Sequence, residues 1–281
     1  INKSKVSVNL NKIIDKEKNL WSVFIKSNKK IQLEQNINLG NKVYCKIIEI
    51  RKEKNYLSYI VKFSLIYSKL IEFLNSHGNM PLPGYIKKKR LLNQSDYKNY
   101  QAIFANRIGA VAAPTASLHF TKRLIDKIKK KGINIIKLTL HVNGGTFIPI
   151  KSNDIEDHLM HYEKGLITKE SANKINYFKK KGGRVFAVGT TVLRLLESSK
   201  DREGNVKAFD GETNIYIKPG WKINTIDALI TNFHTPKSTL LLLIYAILGK
   251  KRTQEIYKFA IKNKLRFFSY GDACLIWNRN E

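Results

Sequence analysis

Cysteine is scarce in this chain. There are two, Cys45 and Cys274, far apart and without paired spacing, among 281 residues. That excludes a disulfide framework or a thiolate zinc cluster and makes a reducing cytosol the expected setting. Acidic side chains are also few: 22 Asp plus Glu stand against 51 Lys plus Arg, for a formal charge of +29. An excess of that size favours polyanionic partners, with nucleic acid first. The excess is mostly lysine, in company with abundant Asn and Ile, a bias that an AT-rich genome also produces. Its runs, Lys87-Lys-Lys-Arg90, Lys129-Lys-Lys131 and Lys179-Lys-Lys181, are short and separate. They read as solvated helix ends and loops rather than one basic tail. A long hydrophobic run is missing too. The longest, Leu240 to Leu248, is too short to span a bilayer and reads as a buried helix. With no signal-peptide pattern either, no membrane partner is expected. There is no internal repeat and no low-complexity tract.

What is present is a globular composition, 43% hydrophobic, with length for one large domain or two modest ones. Residues 1–75 differ in texture from the rest. Val6-Ser-Val-Asn-Leu10, Trp21-Ser-Val-Phe-Ile25, Lys42 to Ile50 and Tyr59-Ile-Val-Lys-Phe63 are short alternating or apolar runs between polar Asn/Lys/Gly stretches such as Asn38-Leu-Gly-Asn41. This spacing predicts a small antiparallel β-barrel, with a helix over Tyr67–Leu74 ending near Gly78. The chain opens at Ile1 in a strand-like rhythm, and a further N-terminal segment is expected before it. From Met80 the pattern is α/β. Pro81-Leu-Pro-Gly-Tyr85 is an extended loop. Helices are expected over Thr121–Lys130, over Lys169–Lys181, from Thr190 with Leu193, Leu195 and Leu196 inward, and from Thr239. Strands are expected over Ile135–Val142, Arg184–Gly189 and Ile223–Thr231. Strand, polar turn and helix recur, so residues 76–281 are expected to form a layered α/β domain with its sites at strand ends.

Several segments carry side chains that packing alone does not require. Gly109-Ala-Val-Ala-Ala-Pro-Thr-Ala-Ser-Leu-His-Phe-Thr121 runs from small residues into Thr115, Ser117 and His119, just before a helix. Small residues let a ligand approach the backbone, and polar groups before a helix suit an anion or carbonyl. Gly189-Thr-Thr191 lies at a strand-to-helix turn, where a threonine could cap the helix or hold a ligand. Arg194, one turn on, could reach an anion there or pair with Glu197 on the surface. Asn232-Phe-His-Thr-Pro-Lys-Ser238 is a second such loop. His234 could act as acid, base or donor, and Ser238 could cap the helix. His158-Leu-Met-His161-Tyr-Glu163, with His141, invites a metal reading. His-Glu-x-x-His is absent, however, and a polar network with Glu163 as base or orienting group is preferred to a metal. Gly144-Gly-Thr146 could admit a nucleotide or be a plain turn. Arg266-Phe-Phe-Ser-Tyr-Gly-Asp272 mixes Arg266, Tyr270 and Asp272 with aromatics, as base stacking or a core-closing strand would.

Taken in order, these segments resemble the S-adenosylmethionine:tRNA ribosyltransferase-isomerase family of queuosine biosynthesis. The resemblance runs from about residue 76 to the end, more loosely before. It implies an α/β domain with a small inserted β-barrel. It also implies transfer and isomerisation of the ribosyl part of S-adenosylmethionine onto 7-aminomethyl-7-deazaguanine at the wobble position of tRNAs with GUN anticodons (Asp, Asn, His, Tyr). The product is epoxyqueuosine, with adenine and methionine released. S-adenosylmethionine is a co-substrate, no cofactor is held permanently, and a cytoplasmic monomer is expected. The chemistry asks for a base to take a ribose C5′ proton, a donor for departing adenine and groups to hold hydroxyls. His119, His141, His158, His161 and Glu163 form the acid–base pool, with His234 and Asp272 behind them. Thr190, Thr191 and Arg194 are expected to hold the methionine carboxylate or a phosphate. The other expected contacts are Thr115, Ser117, Gly144, Gly145, Thr146, Gly189, Asn232, Ser238, Arg266 and Tyr270. Ser117 stands where the family has glycine, and the family's Asn-Asp-Thr-Arg-like segment does not appear. The competing expectation is a non-catalytic basic RNA-binding remnant of such an enzyme.

Overall fold

The computed structural model describes residues 6–52, 57–83, 85–86, 90–106, 109–110, 112–142, 155–156, 158, 160 and 162–278. The chain divides into two compact units. The first is Ile1–Asn93 with Gly109–Val111, and the second is Gln94–Ile108 with Ala112–Glu281.

In the first unit, β1 (Val6–Asp15), β2 (Leu20–Ser27), β3 (Asn36–Gly40), β4 (Val43–Lys52) and β5 (Leu57–Phe63) form one antiparallel sheet in the order β1-β2-β5-β4-β3. Among the described residues β1 and β3 are edges, so the sheet is a curled half-barrel and not the closed barrel expected. Bulges between Leu10 and Lys12 and between Ile47 and Glu49 bend it. Helix α1 (Tyr67–His77) completes the core, with fully buried Leu70 beside Trp21, Val23, Ile47 and Val61. Strand β3 forms inside a stretch that reads as polar linker. Ile37 alone is its buried apolar anchor, and pairing with β4 supplies the rest.

The second unit begins with α2 (Gln94–Asn99), a 3-10 turn at Thr115–His119 and α3 (Lys122–Lys130). There follow β6 (Thr139–His141), β7 (Glu163–Ile167), α4 (Lys169–Lys180), β8 (Phe186–Val188), α5 (Thr190–Ser199) and β9 (Phe209–Thr213). Last come β10 (Ala228–Asn232), α6 (Thr239–Lys262) and β11 (Ala273–Trp277). Threonine and serine caps set the helix starts: Thr121, Thr168 and Ser238 each accept from a backbone N–H three residues on. Gly132 and Gly182, both at positive φ, follow the ends of α3 and α4. The strands form two three-stranded sheets. In β11-β10-β8, β8 and β10 are parallel and β11 is antiparallel; β6-β7-β9 is antiparallel throughout. Helix α5 packs against β8 and β10 of one sheet and β6 and β9 of the other. Its Leu193, Leu195 and Leu196 join Ala187, Leu229 and Ile244 in the core.

Three segments differ from expectation. Only Thr139–His141 of the Ile135–Val142 run is extended and paired. The expected Ile223–Thr231 strand shifts to Ala228–Asn232, because the Asp227 carboxylate instead accepts the Val185 N–H at 2.6 Å and closes a loop. The Arg266–Asp272 segment is a turn and β11 starts after it. Arg266 and Asp272 exchange backbone and side-chain bonds, and Phe268 sits at φ 73°. Strand β7 is unmarked in sequence because two of its three inward positions are a glutamate and a glycine. A Cβ on Gly165 would lie 2.5 Å from Leu195 Cδ1 and 3.1 Å from Leu140 Cδ1. The glycine thus lets α5 close onto the sheet.

Gly165→Ala should therefore destabilise the protein by about 1–3 kcal/mol through overpacking. Paired with Leu195→Ala it should cost less than the sum of the two single changes. Urea unfolding of the three variants measures both.

Candidate functional site at the strand ends

Strands β8 and β10 run parallel and end side by side, and the carboxyl edge of such a pair is where α/β folds place ligands. Gly189 follows β8 and donates its N–H to Ile230 at 2.8 Å. It then turns the chain into α5 with φ 95° and ψ 146°, a conformation almost reserved for glycine. Neither Thr190 nor Thr191 caps the helix, which removes the capping alternative. Gly189 is the N-cap, and among the described residues no side chain makes a cap bond there. Thr190 is buried at the first helical position. The 3-10 turn packs against β10, and a Cβ on Gly189 would lie 3.7 Å from the Ala116 Cβ. Ser117 is buried in that turn. Its N–H donates to Pro114 at 2.9 Å and its carbonyl accepts from Phe120 at 3.1 Å. Its φ is not positive, so a side chain here imposes no backbone strain.

At the end of β10, Asn232 joins three segments. Thr115 Oγ1 donates to its Oδ1 at 3.0 Å. Its Nδ2 lies 3.1 Å from His119 Nε2 and donates to the Gly271 carbonyl at 3.4 Å. Asn232 is buried while the His119 ring is exposed. Asp272, next to Gly271, is bonded by Arg266 through Nη2 at 2.7 Å. Those bonds, first from the Arg266 side chain and then from its backbone, hold the carboxyl below its ordinary range, and His119 adds to this. Tyr270 donates its hydroxyl to buried Asp96 at 3.0 Å, an acid that no sequence pattern marks.

A second cluster lies along α5. Glu163 and Arg194, 2% and 3% exposed, form a buried ion pair through Oε2 and Nη1. Neither expectation for Arg194 named that partner. Glu197 is instead engaged by Lys200 at 2.6 Å, by Trp221 Nε1 at 2.8 Å and by Thr225 Oγ1 at 2.6 Å. Nε and Nη2 of Arg194 have no hydrogen-bond partner among the described residues. His141 ends β6 opposite Lys164, one residue from Glu163. The His158 ring stands edge-on to Tyr216 at 5.6 Å. Gly189 and Arg194 are five residues apart on the helix, about 7.5 Å of rise. Ala112 N–H to Val142 O at 3.4 Å brings the motif that contains the 3-10 turn to the end of β6.

Two expected site residues are occupied elsewhere. Successive strand residues face opposite sides of a sheet. His234 bonds Thr231 Oγ1 through Nε2 at 2.9 Å, on the side away from Asn232, and its backbone N–H donates to the Tyr257 hydroxyl at 2.8 Å. Burial pushes its imidazole down to about 4. Ser238 caps α6 and also donates to Thr235 at 2.7 Å. His161, Gly144, Gly145 and Thr146 lie outside the described residues. Among the described residues no group of three or more His, Cys, Asp or Glu could hold a metal, and no helix is long and apolar enough to cross a membrane.

A family model described as "Queuosine biosynthesis protein" matches residues 2–276. A relative from Zymomonas mobilis, named S-adenosylmethionine:tRNA ribosyltransferase-isomerase, is 43% identical over 275 residues, which is 98% of this chain and 79% of that protein. One of the same name from Rickettsia bellii is 46% identical over 259 residues, covering 92% and 72%. A solved structure of an S-adenosylmethionine tRNA ribosyltransferase from Thermotoga maritima is 26% identical and covers 96% of this chain and 74% of that one, with a TM-score of 0.47.

Glu163→Ala leaves the Arg194 guanidinium buried without its counter-charge and should cost about 3–5 kcal/mol. Glu163→Leu with Arg194→Met should cost less than Glu163→Ala alone; denaturant unfolding decides. For His234 the folded value lies below the ordinary 6.5, so the unfolded chain binds more protons between pH 6.5 and 4. Stability should fall as pH drops through that window, and less steeply in His234→Gln. Urea midpoints at pH 7, 5.5 and 4 measure the difference.

Proposed function

The chain belongs to the queuosine biosynthesis protein family, and from that membership we propose that it is an S-adenosylmethionine:tRNA ribosyltransferase-isomerase. It moves the ribosyl part of S-adenosylmethionine onto the aminomethyl nitrogen of 7-aminomethyl-7-deazaguanine at the wobble position of tRNAs with GUN anticodons. S-adenosylmethionine plus the tRNA amine give epoxyqueuosine-tRNA, adenine and methionine. The co-substrate is consumed and not held. The enzyme acts as a cytoplasmic monomer. In this proposal residues 76–281 are one layered α/β catalytic domain and residues 1–75 its small β companion.

The observation that carries the proposal is the meeting of His119, Thr115 and Asn232 at the carboxyl ends of β8 and β10. There a nucleoside would lie beside the uncapped start of α5. The chemistry needs little beyond what such a place supplies. The sulfonium acidifies the ribose C5′ hydrogens, so a modest base suffices. Glu163 is engaged by Arg194, which favours it as an orienting group over a base. That leaves His141 and His158, with His161, for proton removal. The unpartnered nitrogens of Arg194 suit the methionine carboxylate, since a guanidinium matches a carboxylate in two parallel bonds. Thr190 and Thr191, at the start of α5, are the holders of ribose hydroxyls. The charge of +29 draws in tRNA from a distance.

Protein, S-adenosylmethionine and tRNA carrying the aminomethyl base should yield epoxyqueuosine in the digested tRNA. Binding without product would reduce the protein to an RNA binder. His119→Ala should lose about 10²-fold or more in turnover while still binding tRNA, and near-normal turnover would remove His119 from the reaction.

A further inference from the structure

We infer that Asn232 is a positioning residue that holds neutral His119 as the Nδ1–H tautomer, so that His119 offers the substrate a hydrogen-bond donor and not a lone pair. The inference deepens the proposed function and rests on it for the identity of the substrate.

The orientation of the Asn232 amide follows from its surroundings. A backbone carbonyl can only accept, so the amide edge facing Gly271 O must be the nitrogen. The contact is long, at 3.4 Å, but the reversed amide would set two oxygens against each other there. The other edge then presents Oδ1 to Thr115, whose hydroxyl donates at 3.0 Å. With the nitrogen placed, its second N–H points to His119 Nε2 at 3.1 Å. That ring nitrogen must accept, because two N–H groups cannot bond each other. The proton of the neutral ring therefore sits on Nδ1. Tautomers are assigned from such networks, and here a carbonyl that cannot donate breaks the symmetry.

Nδ1 has no bond partner among the described residues, and the ring is exposed. The Asp272 carboxylate is close enough to feel the His119 ring, but its hydrogen bonds come from the Arg266 side chain and backbone. What remains is an N–H on a ring fixed at the far side. It suits an acceptor atom of the substrate, such as a nitrogen or oxygen that gains negative charge as a bond to it breaks. The group stabilises that charge by a hydrogen bond, and no proton leaves the ring. A neutral imidazole can do this without first being protonated. Proton removal then falls to His141 or His158.

Long-range proton–nitrogen spectra of protein labelled at the histidine ring nitrogens report the tautomer without any turnover. His119→Gln identifies the signals. The wild type should show the His119 proton on Nδ1. Asn232→Asp presents oxygens that only accept, and should place a proton on Nε2. Its kcat should fall roughly 10²-fold, the loss expected when one such donor is misplaced, with KM for S-adenosylmethionine little changed. A wild-type proton on Nε2, or a bare Nε2 in the Asn232→Asp protein, overturns the positioning role. The wild-type spectrum decides the first of these even if the variant does not fold. A proton moved to Nε2 with undiminished turnover overturns the donor role. Wild-type protein that makes no epoxyqueuosine in the parallel assay would defeat the proposed function, and the spectra would still decide the tautomer.

Discussion

The amide of Asn232 holds the strand-end site together. It accepts from a hydroxyl 117 residues earlier, meets an imidazole 113 residues earlier, and donates to a carbonyl 39 residues later. Only an amide carries both a two-lone-pair acceptor and two donors on one rigid plane. A carboxylate would repel the Gly271 carbonyl, and an aliphatic side chain would leave the half-buried Thr115 hydroxyl and the buried Gly271 carbonyl unanswered, at about 1–3 kcal/mol for each. The 3-10 turn, the end of β10 and the turn before β11 thus share one anchor. Its position is set by the parallel pairing of β8 and β10, and Gly189 keeps the turn close.

Helix α5 is the second constraint, since it touches strands of both sheets. Its apolar side is ordinary core: Leu193, Leu195 and Leu196 are almost wholly buried. Its polar side carries Arg194 into the same interior, which is costly for a cation unless a counter-charge comes with it. Glu163 supplies that charge from the first position of β7. The pair adds little stability, because packed apolar residues would serve as well. It makes sense as a device for holding a guanidinium at fixed orientation with two nitrogens left over. Glu197, one turn further, shows the contrasting case: it ties Lys200, Trp221 and Thr225 into the scaffold.

Much of the fold is legible in the sequence, and the parts that are not share a cause. Periodic segments with caps, such as Thr168 before α4 and Ser238 before α6, declare themselves because propensity, capping and amphipathicity agree there. In the first unit β1, β2, β4 and β5 announce themselves by short alternating or apolar runs, and β3 does not. Strands β7 and β9 do not, because Glu163, Gly165 and Gly211 occupy positions where apolar residues would have marked the pattern. Arg194 stands out in the sequence, but its near choice of partner there, Glu197, faces other groups. Asp96 carries no signal at all: it is a lone acid in a polar helix until Tyr270 arrives from 174 residues away.

The order of the motifs along the chain was enough to determine the family and the kind of chemistry, because each motif is a local string of residue types with its own geometric demand. Local strings also determined the helices and the caps at Thr121, Thr168 and Ser238, where the bonds run over three or four residues. Tertiary structure alone decided which polar groups meet. It placed Asn232 against His119, Glu163 against Arg194, and His234 away from Asn232 with its imidazole driven neutral by burial. Hydrogen bonds and ion pairs reach only about 3 Å, so their partners are fixed by the fold that brings distant segments together, and no spacing in the sequence records that distance.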